Sequence, residues 1–137
     1  SGCGLIYYLN SKVVAGAIVA EDGKLLLVRR NNNPSKGKWT FPGGFVDWGE
    51  AVTSAAVREA LEETGLAVEL DGLVGVYSYS GAPVVIVVYR ARVTGGTLTE
   101  NHEIAEATWL CPEEIPWEEL AFPSTQQALR DWLSTRR

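Results

Sequence analysis

Three glutamates, Glu59, Glu62 and Glu63, fall in the run REALEE (residues 58–63), with Arg58 beside them and Glu50 upstream. On a helix advancing about 100° per residue, the three occupy an arc of about 100°. Like charges at i,i+4 cost about 0.2–0.5 kcal/mol per pair, so this crowding opposes folding on its own. A divalent cation reverses the sign, because hard ions such as Mg2+ take carboxylate oxygens. Such an ion lowers the pKa of bound water, orients an anionic substrate and stabilises charge on the attacking and leaving oxygens. The plain alternative is an acidic, solvated helix face. It leaves Gly43-Gly44, Glu50 and Arg58 unexplained.

The element that must hold these acids is a helix reaching Gly65, a residue suited to a helix stop. Asp47, with Glu50 three residues on, reads as a capping-box-like start. Val57, Ala60 and Leu61 fall roughly opposite the acids and are expected to face a core. Before the helix, Gly43-Gly44 makes a tight turn at which the backbone can approach a ligand or metal.

Read together, Gly44, five residues, Glu50, seven residues, then Arg58-Glu59-Ala60-Leu61-Glu62-Glu63-Thr64-Gly65-Leu66 resembles the signature of the Nudix hydrolases, G-x5-E-x7-R-E-U-x-E-E-x-G-U with U aliphatic. Ala60 is smaller than the usual aliphatic residue; every charged and glycine position is filled. The resemblance implies an α/β fold, a mixed β-sheet sandwiched between helices, with the signature as a loop-helix-loop. It implies hydrolysis of the diphosphate in a nucleoside diphosphate linked to another moiety, with one to three Mg2+ or Mn2+ ions. Glu59 and Glu63 are then expected as direct metal ligands, followed by Glu62. Glu50 is an accessory ligand and the Gly43 carbonyl a further one, with Gly44 against the substrate. Arg58 would orient the glutamates. The general base is either a glutamate of the signature helix or one on a later loop, where Glu103, flanked by Glu100 and Glu106, is the candidate. Glu103 serves equally as an extra metal ligand. His102, the only histidine, is left out of the site.

The chain has 137 residues, 46% hydrophobic and 21% charged, which suits one domain with one core. A net charge of −5 argues against a sequence-independent nucleic-acid binder. No apolar run approaches the ~20 residues that span a bilayer, and no signal peptide is visible, so cytoplasm is the default location. Two cysteines, Cys3 and Cys111, make no disulfide framework. The chain opens on Ser1-Gly2 rather than Met, so its start reads as an expression remnant or a truncation. Cys3-Gly4 followed by Tyr8 and Asn10 resembles the second half of the small zinc ribbon that precedes some Nudix domains. One cysteine cannot complete a zinc site that needs four ligands, so residues 1–12 read as a loose arm or an incomplete ribbon half.

In order, residues 13–20 (VVAGAIVA) and 24–30 (KLLLVRR) read as a hairpin about Asp22-Gly23. Arg30, at its end, is a phosphate contact by resemblance or a solvated strand end. Residues 39–42 run extended into the Gly-Gly turn. Residues 67–70 and 73–79 read as two strands divided by Asp71-Gly72. Residues 84–94 (VVIVVYRARVT) read as a strand buried on both faces, and residues 107–110 as another. Residues 113–120 form a loop or short helical turn. Residues 124–134 form a helix capped by Ser124, with Gln127 at the box position and Leu129, Trp132 and Leu133 as its apolar stripe. A homodimer is an open expectation.

The substrate is read from residues outside the signature. The SQPWPxPxS-type array associated with NADH cleavage is absent after Leu66. Pro83 lies seventeen residues beyond it, near the position associated with ADP-ribose cleavage. Tyr77 and Tyr79 alternate on one strand face, where they stack on a base or simply pack. ADP-ribose or a similar nucleotide sugar is the expected small-molecule substrate. A nucleoside triphosphate pyrophosphohydrolase is the alternative, and a non-catalytic metabolite sensor, which commonly loses signature acids, is the third reading.

Overall fold

A computed structural model describes residues 10–99 and 104–135. The strands are β1 (Lys12–Glu21), β2 (Lys24–Arg30), β3 (Trp39–Thr40), β4 (Gly43–Phe45), β5 (Leu66–Ser78), β6 (Val84–Gly96) and β7 (Ile104–Leu110). Helix α1 spans Val52–Thr64 and helix α2 spans Pro123–Thr135, with two single 3-10 turns, Pro112–Glu114 and Trp117–Glu119, before α2. The strands form one mixed sheet in the order β3-β2-β1-β6-β5, with β4 also on β1 and β7 also on β2. β1 runs parallel to β6 along most of its length, from Lys12 opposite Val84 to Ala20 opposite Arg92. Its contact with β2 is confined to the hairpin end at Ala20 and Glu21. The room this leaves beside β1 is taken by β4, which sets Gly43 and Gly44 against Gly16 and Ala15.

α2 covers one face of the sheet, over Ile18, Leu25, Leu27, Tyr77, Ile86 and Val88. α1 covers the other, over Ala15, Ala17, Val19, Leu66 and Val68. Three buried threonines find partners for their hydroxyls. Thr64 Oγ1 donates to the Ala60 carbonyl at 2.6 Å, and the Thr40 and Thr125 hydroxyls are 3.0 Å apart.

Several expectations are corrected. Asp71-Gly72 does not divide two strands: β5 is continuous and absorbs the extra residues as bulges between Leu70 and Gly72 and between Leu73 and Gly75. β6 is not buried throughout. Ile86, Val88 and Ala91 are buried, but neighbouring positions are only half-covered because α1 lies mainly over β1 and β5. Asp47 and Glu50 do exchange capping-box-like bonds, but in a turn ahead of α1, whose N-cap is Ala51 without a side-chain cap. At the far end Gly65 closes α1 as expected, at φ 79°, its N–H on the Leu61 carbonyl at 2.9 Å. Ser124 is not a cap; it is a buried residue inside α2, which starts at Pro123. The apolar stripe Leu129, Trp132 and Leu133 does pack on the sheet, joined by Ala128. Residues 1–9, with the ribbon-like Cys3, lie outside the described residues.

Candidate active site

The buried residues of α1 are Ala55, Ala56, Ala60 and Thr64, while Leu61 is 50% exposed, contrary to the sequence expectation. At about 100° per residue, Glu59 and Glu63 fall between Ala55 and Ala56 on the helical wheel. The two acids therefore face the sheet instead of bulk water. Small residues allow it: Ala15 on β1 packs against Ala55 and Ala56, and Gly44 on β4 has no Cβ where the Glu59 carboxylate lies.

The contacts show how closely this space is used. A Cβ on Gly44 would collide with the Glu59 carboxylate, and one on Gly43 would come 2.8 Å from the Ala15 carbonyl oxygen. The Gly43 N–H donates to Glu63 Oε2 at 3.2 Å. The side chain of Glu59 is only 15% exposed.

Arg58 binds the surrounding acids. Its Nε and Nη2 donate to the two oxygens of Glu50 at 2.7 and 2.9 Å, a bidentate pair of the strong, charge-assisted kind. Its Nη1 reaches both oxygens of Glu62 at 3.0 and 3.1 Å and Glu59 Oε1 at 3.4 Å. Its Nη2 also donates to the Phe45 carbonyl at 3.1 Å. The Arg58 guanidinium, and then the Asp47 N–H, hold the Glu50 carboxyl at about 2, while Glu50 and then Glu62 push Arg58 upward.

A cavity of about 460 Å³ lies against this assembly. Asp47, Glu59 and Glu63 line it, together with Gly43 and Gly44. Arg30, Asn32 and Asn33 join them from the end of β2 and the loop beyond. Arg30 is held there by its Nε bond to the Pro34 carbonyl at 2.9 Å and by the Phe122 ring, 5.2 Å away. A second cavity of about 470 Å³ lies near Arg90, Arg92 and Trp132. Its arginines are paired, Arg90 with Asp71 at 3.6 Å and Arg92 with Glu69 at 2.6 Å, and no signature acid reaches it.

The structure thus brings Gly43, Gly44, Arg30, Arg58, Glu59 and Glu63 to one cavity. It does not bring Glu50 and Glu62 there: both are drawn onto Arg58, and Glu62 is 53% exposed. Tyr77 and Tyr79 are a correction. Tyr77 is buried among the α2-side core residues, where its hydroxyl donates to Asp131 Oδ2 at 2.7 Å. Tyr79 is tied to Gln127 Oε1 at 2.7 Å. Neither lines the cavity, because their face of the sheet is the one α2 covers. Glu103, Glu100 and His102 lie outside the described residues, and Glu106 sits 3.4 Å from Arg29. Asn32, Asn33 and Asp47 line the cavity beyond the residues to which the sequence points, and the Asn31-Asn32-Asn33 run directly after Arg30 is the signal for the first two.

Among the described residues, no three His, Cys, Asp or Glu side chains form a set that could hold a metal ion by themselves. Mg2+ keeps several waters and commonly takes one or two carboxylates plus substrate phosphates in place of an all-protein cage. The all-oxygen donors of Glu59 and Glu63 fit Mg2+ or Mn2+.

The sequence profile of the NUDIX domain matches residues 10–133. An ADP-ribose pyrophosphatase of Methanocaldococcus jannaschii is 38% identical over 130 residues, covering 92% of this chain and 75% of its own. A putative 8-oxo-dGTP diphosphatase of Bacillus subtilis is 36% identical over 116 residues, 84% of this chain and 74% of its own. The crystal structure of a NUDIX hydrolase from Nitrosomonas europaea superposes with a TM-score of 0.91 at 34% identity, over 98% of this chain and 76% of that one. With the signature acids, the mixed sheet and the two covering helices in agreement, the chain belongs to the NUDIX family, hydrolases of nucleoside diphosphates linked to other moieties that work with divalent cations such as Mg2+.

Proposed function

We propose that this chain hydrolyses the diphosphate of ADP-ribose or a similar nucleotide sugar, with Glu59 and Glu63 as its metal-holding carboxylates. The observation that carries the reading is the pair itself: two carboxylates turned toward the sheet, in one cavity with Arg30. When bound there, Mg2+ or Mn2+ supplies charge neutralisation and a more acidic water. Arg30 offers the planar donor fork that suits a phosphate. Gly43 and Gly44 let the substrate approach the backbone. Arg58 fixes Glu59 and Glu62 in orientation, and Glu50 fixes Arg58, so this ion-pair network acts on the reaction through the position of the acids. Water adds to one phosphorus of the diphosphate, the bridging P–O bond breaks, and the bridging oxygen leaves with the other phosphate. ADP-ribose and water thus give AMP and ribose 5-phosphate. The named relative from Methanocaldococcus jannaschii supports this substrate class.

The test is a panel of ADP-ribose, nucleotide sugars, NADH and nucleoside triphosphates incubated with Mg2+, with products identified by mass. The expected result is AMP and ribose 5-phosphate from ADP-ribose at the highest kcat/KM. Preferential release of pyrophosphate and a monophosphate from a triphosphate would move the enzyme to the triphosphate pyrophosphohydrolases, in line with the 8-oxo-dGTP diphosphatase name of the Bacillus subtilis relative. No turnover of any member, with tight binding of one, would make it a sensor.

A further inference from the structure

Trp48 is fully exposed, at 101%, in the short loop between β4 and α1. An indole left wholly in water is unusual, because Trp normally buries most of its large apolar surface. The loop presenting it is held firmly on both sides. Ahead of Trp48, the Val46 N–H donates to the Val13 carbonyl at 2.9 Å, and Arg58 holds the Phe45 carbonyl at 3.1 Å. Around it, Asp47 and Glu50 exchange two bonds of 3.0 Å, N–H of Asp47 to Glu50 Oε1 and N–H of Glu50 to the Asp47 carbonyl. Asp47 and Phe45 both line the cavity, and Trp48 follows Asp47 directly in the chain, within reach of an indole from that lining.

We propose that Trp48 is the platform on which the base of the nucleotide substrate stacks, a reading that rests on the diphosphatase activity proposed above. The cavity supplies carboxylates, an arginine and amides, which suit phosphates and sugar hydroxyls. The base is the flat aromatic part of such a substrate and needs an apolar surface outside that polar floor. Tyr77 and Tyr79 are on the wrong face, and Phe45 already carries Lys12 over its ring at 5.4 Å. The loop backbone is already held, so binding has only the two torsions of the indole to order, and stacking tolerates any base because every base has a π-face. Arg58 then has two tasks: it orients the acids and it holds the loop that presents the indole.

The test compares wild type, Trp48→Ala and Trp48→Phe by steady-state kinetics with ADP-ribose and Mg2+, and by tryptophan fluorescence on titration with AMP. Inorganic pyrophosphate, which has no base, serves as a competing ligand. Trp48→Ala should raise KM about tenfold, the size of one base–aromatic stack, with kcat held within about twofold. Trp48→Phe should recover most of the loss. AMP should quench wild-type fluorescence, this quench should vanish in Trp48→Ala, and inhibition by pyrophosphate should be equal in all three. An unchanged KM and an unchanged quench overturn the proposal. An equal loss of pyrophosphate binding also overturns it, pointing to a distorted loop. So does sedimentation showing that Trp48→Ala only separates subunits while KM stays the same. If wild type cleaves no member of the panel, the activity reading fails by itself, and the AMP quench still decides the stacking.

Discussion

Helices α1 and α2 each span thirteen residues, and each covers one face of the same sheet. α2 lays Ala128, Leu129 and Trp132 on Ile18, Leu25, Leu27 and Val88, a layer of large apolar side chains. α1 meets the sheet through Ala55, Ala56 and Ala60, and two carboxylates share its inward arc. Burying a Leu-sized side chain contributes about 1.5–3 kcal/mol, and a methyl much less, so the α2 face carries most of the stabilisation per residue. The α1 face gives up that burial to bring Glu59 and Glu63 against Gly43 and Gly44. One sheet thus has a face packed for stability and a face to which we assign the chemistry.

The comparison breaks most visibly at Trp132. Trp132→Ala should destabilise by about 3–5 kcal/mol, read by denaturant unfolding, while turnover per folded molecule changes little. Gly44→Ala should do the reverse. Its new Cβ strikes the movable end of Glu59 and no fixed backbone, so stability should fall by less than about 1 kcal/mol. Displacing that carboxylate should lower kcat by about a hundredfold, the usual cost of ~1 Å misplacement at a reacting centre. Equal effects of these two substitutions on unfolding would erase the distinction between the faces. Arg58→Lys keeps the charge but loses the fork that grips Glu50 and Glu62 together, and should cost about 10–100-fold in turnover.

The smallest effects separate the faces by pH. Glu50 has a folded-state pKa of about 2, below the ordinary 4.5, owing first to Arg58. A depressed carboxyl stabilises above its unfolded value, so this contribution should be present at neutral pH and disappear as pH falls from about 4.5 toward 2. Tyr77 is raised above its ordinary 10, first by burial and then by the bond to Asp131. Its contribution is present below pH 10 and lost as pH rises beyond it. Thermal melts of Glu50→Gln and Tyr77→Phe against wild type should therefore converge at acid pH for the first and at alkaline pH for the second.

What could be read from residues alone was local. The signature acids, the Asp22-Gly23 hairpin and the stripe on α2 are set by spacing within one element, and the structure contains each of these elements. The inward turn of Glu59 and Glu63 was not legible, because a helical wheel ranks faces by polarity and treats an acid as outward. It depends on Gly43 and Gly44, which only the pairing of β4 with β1 sets beneath the helix. Asp71-Gly72 looked like a turn for the same reason: whether such a pair bends or bulges depends on the partner strand, here β6. Tyr77 and Tyr79 alternate as expected, but which face they took was decided by α2, about fifty residues later.

The central claim is that the carboxylate pair under the Gly-Gly strand performs the chemistry. Its most direct measurement is Mg2+-dependent turnover by Glu63→Gln alongside its melting temperature. The account predicts turnover lower by about a hundredfold or more, near 3 kcal/mol of lost transition-state stabilisation, with the melt unchanged within a few degrees. Wild-type turnover with the same Mg2+ dependence would contradict it.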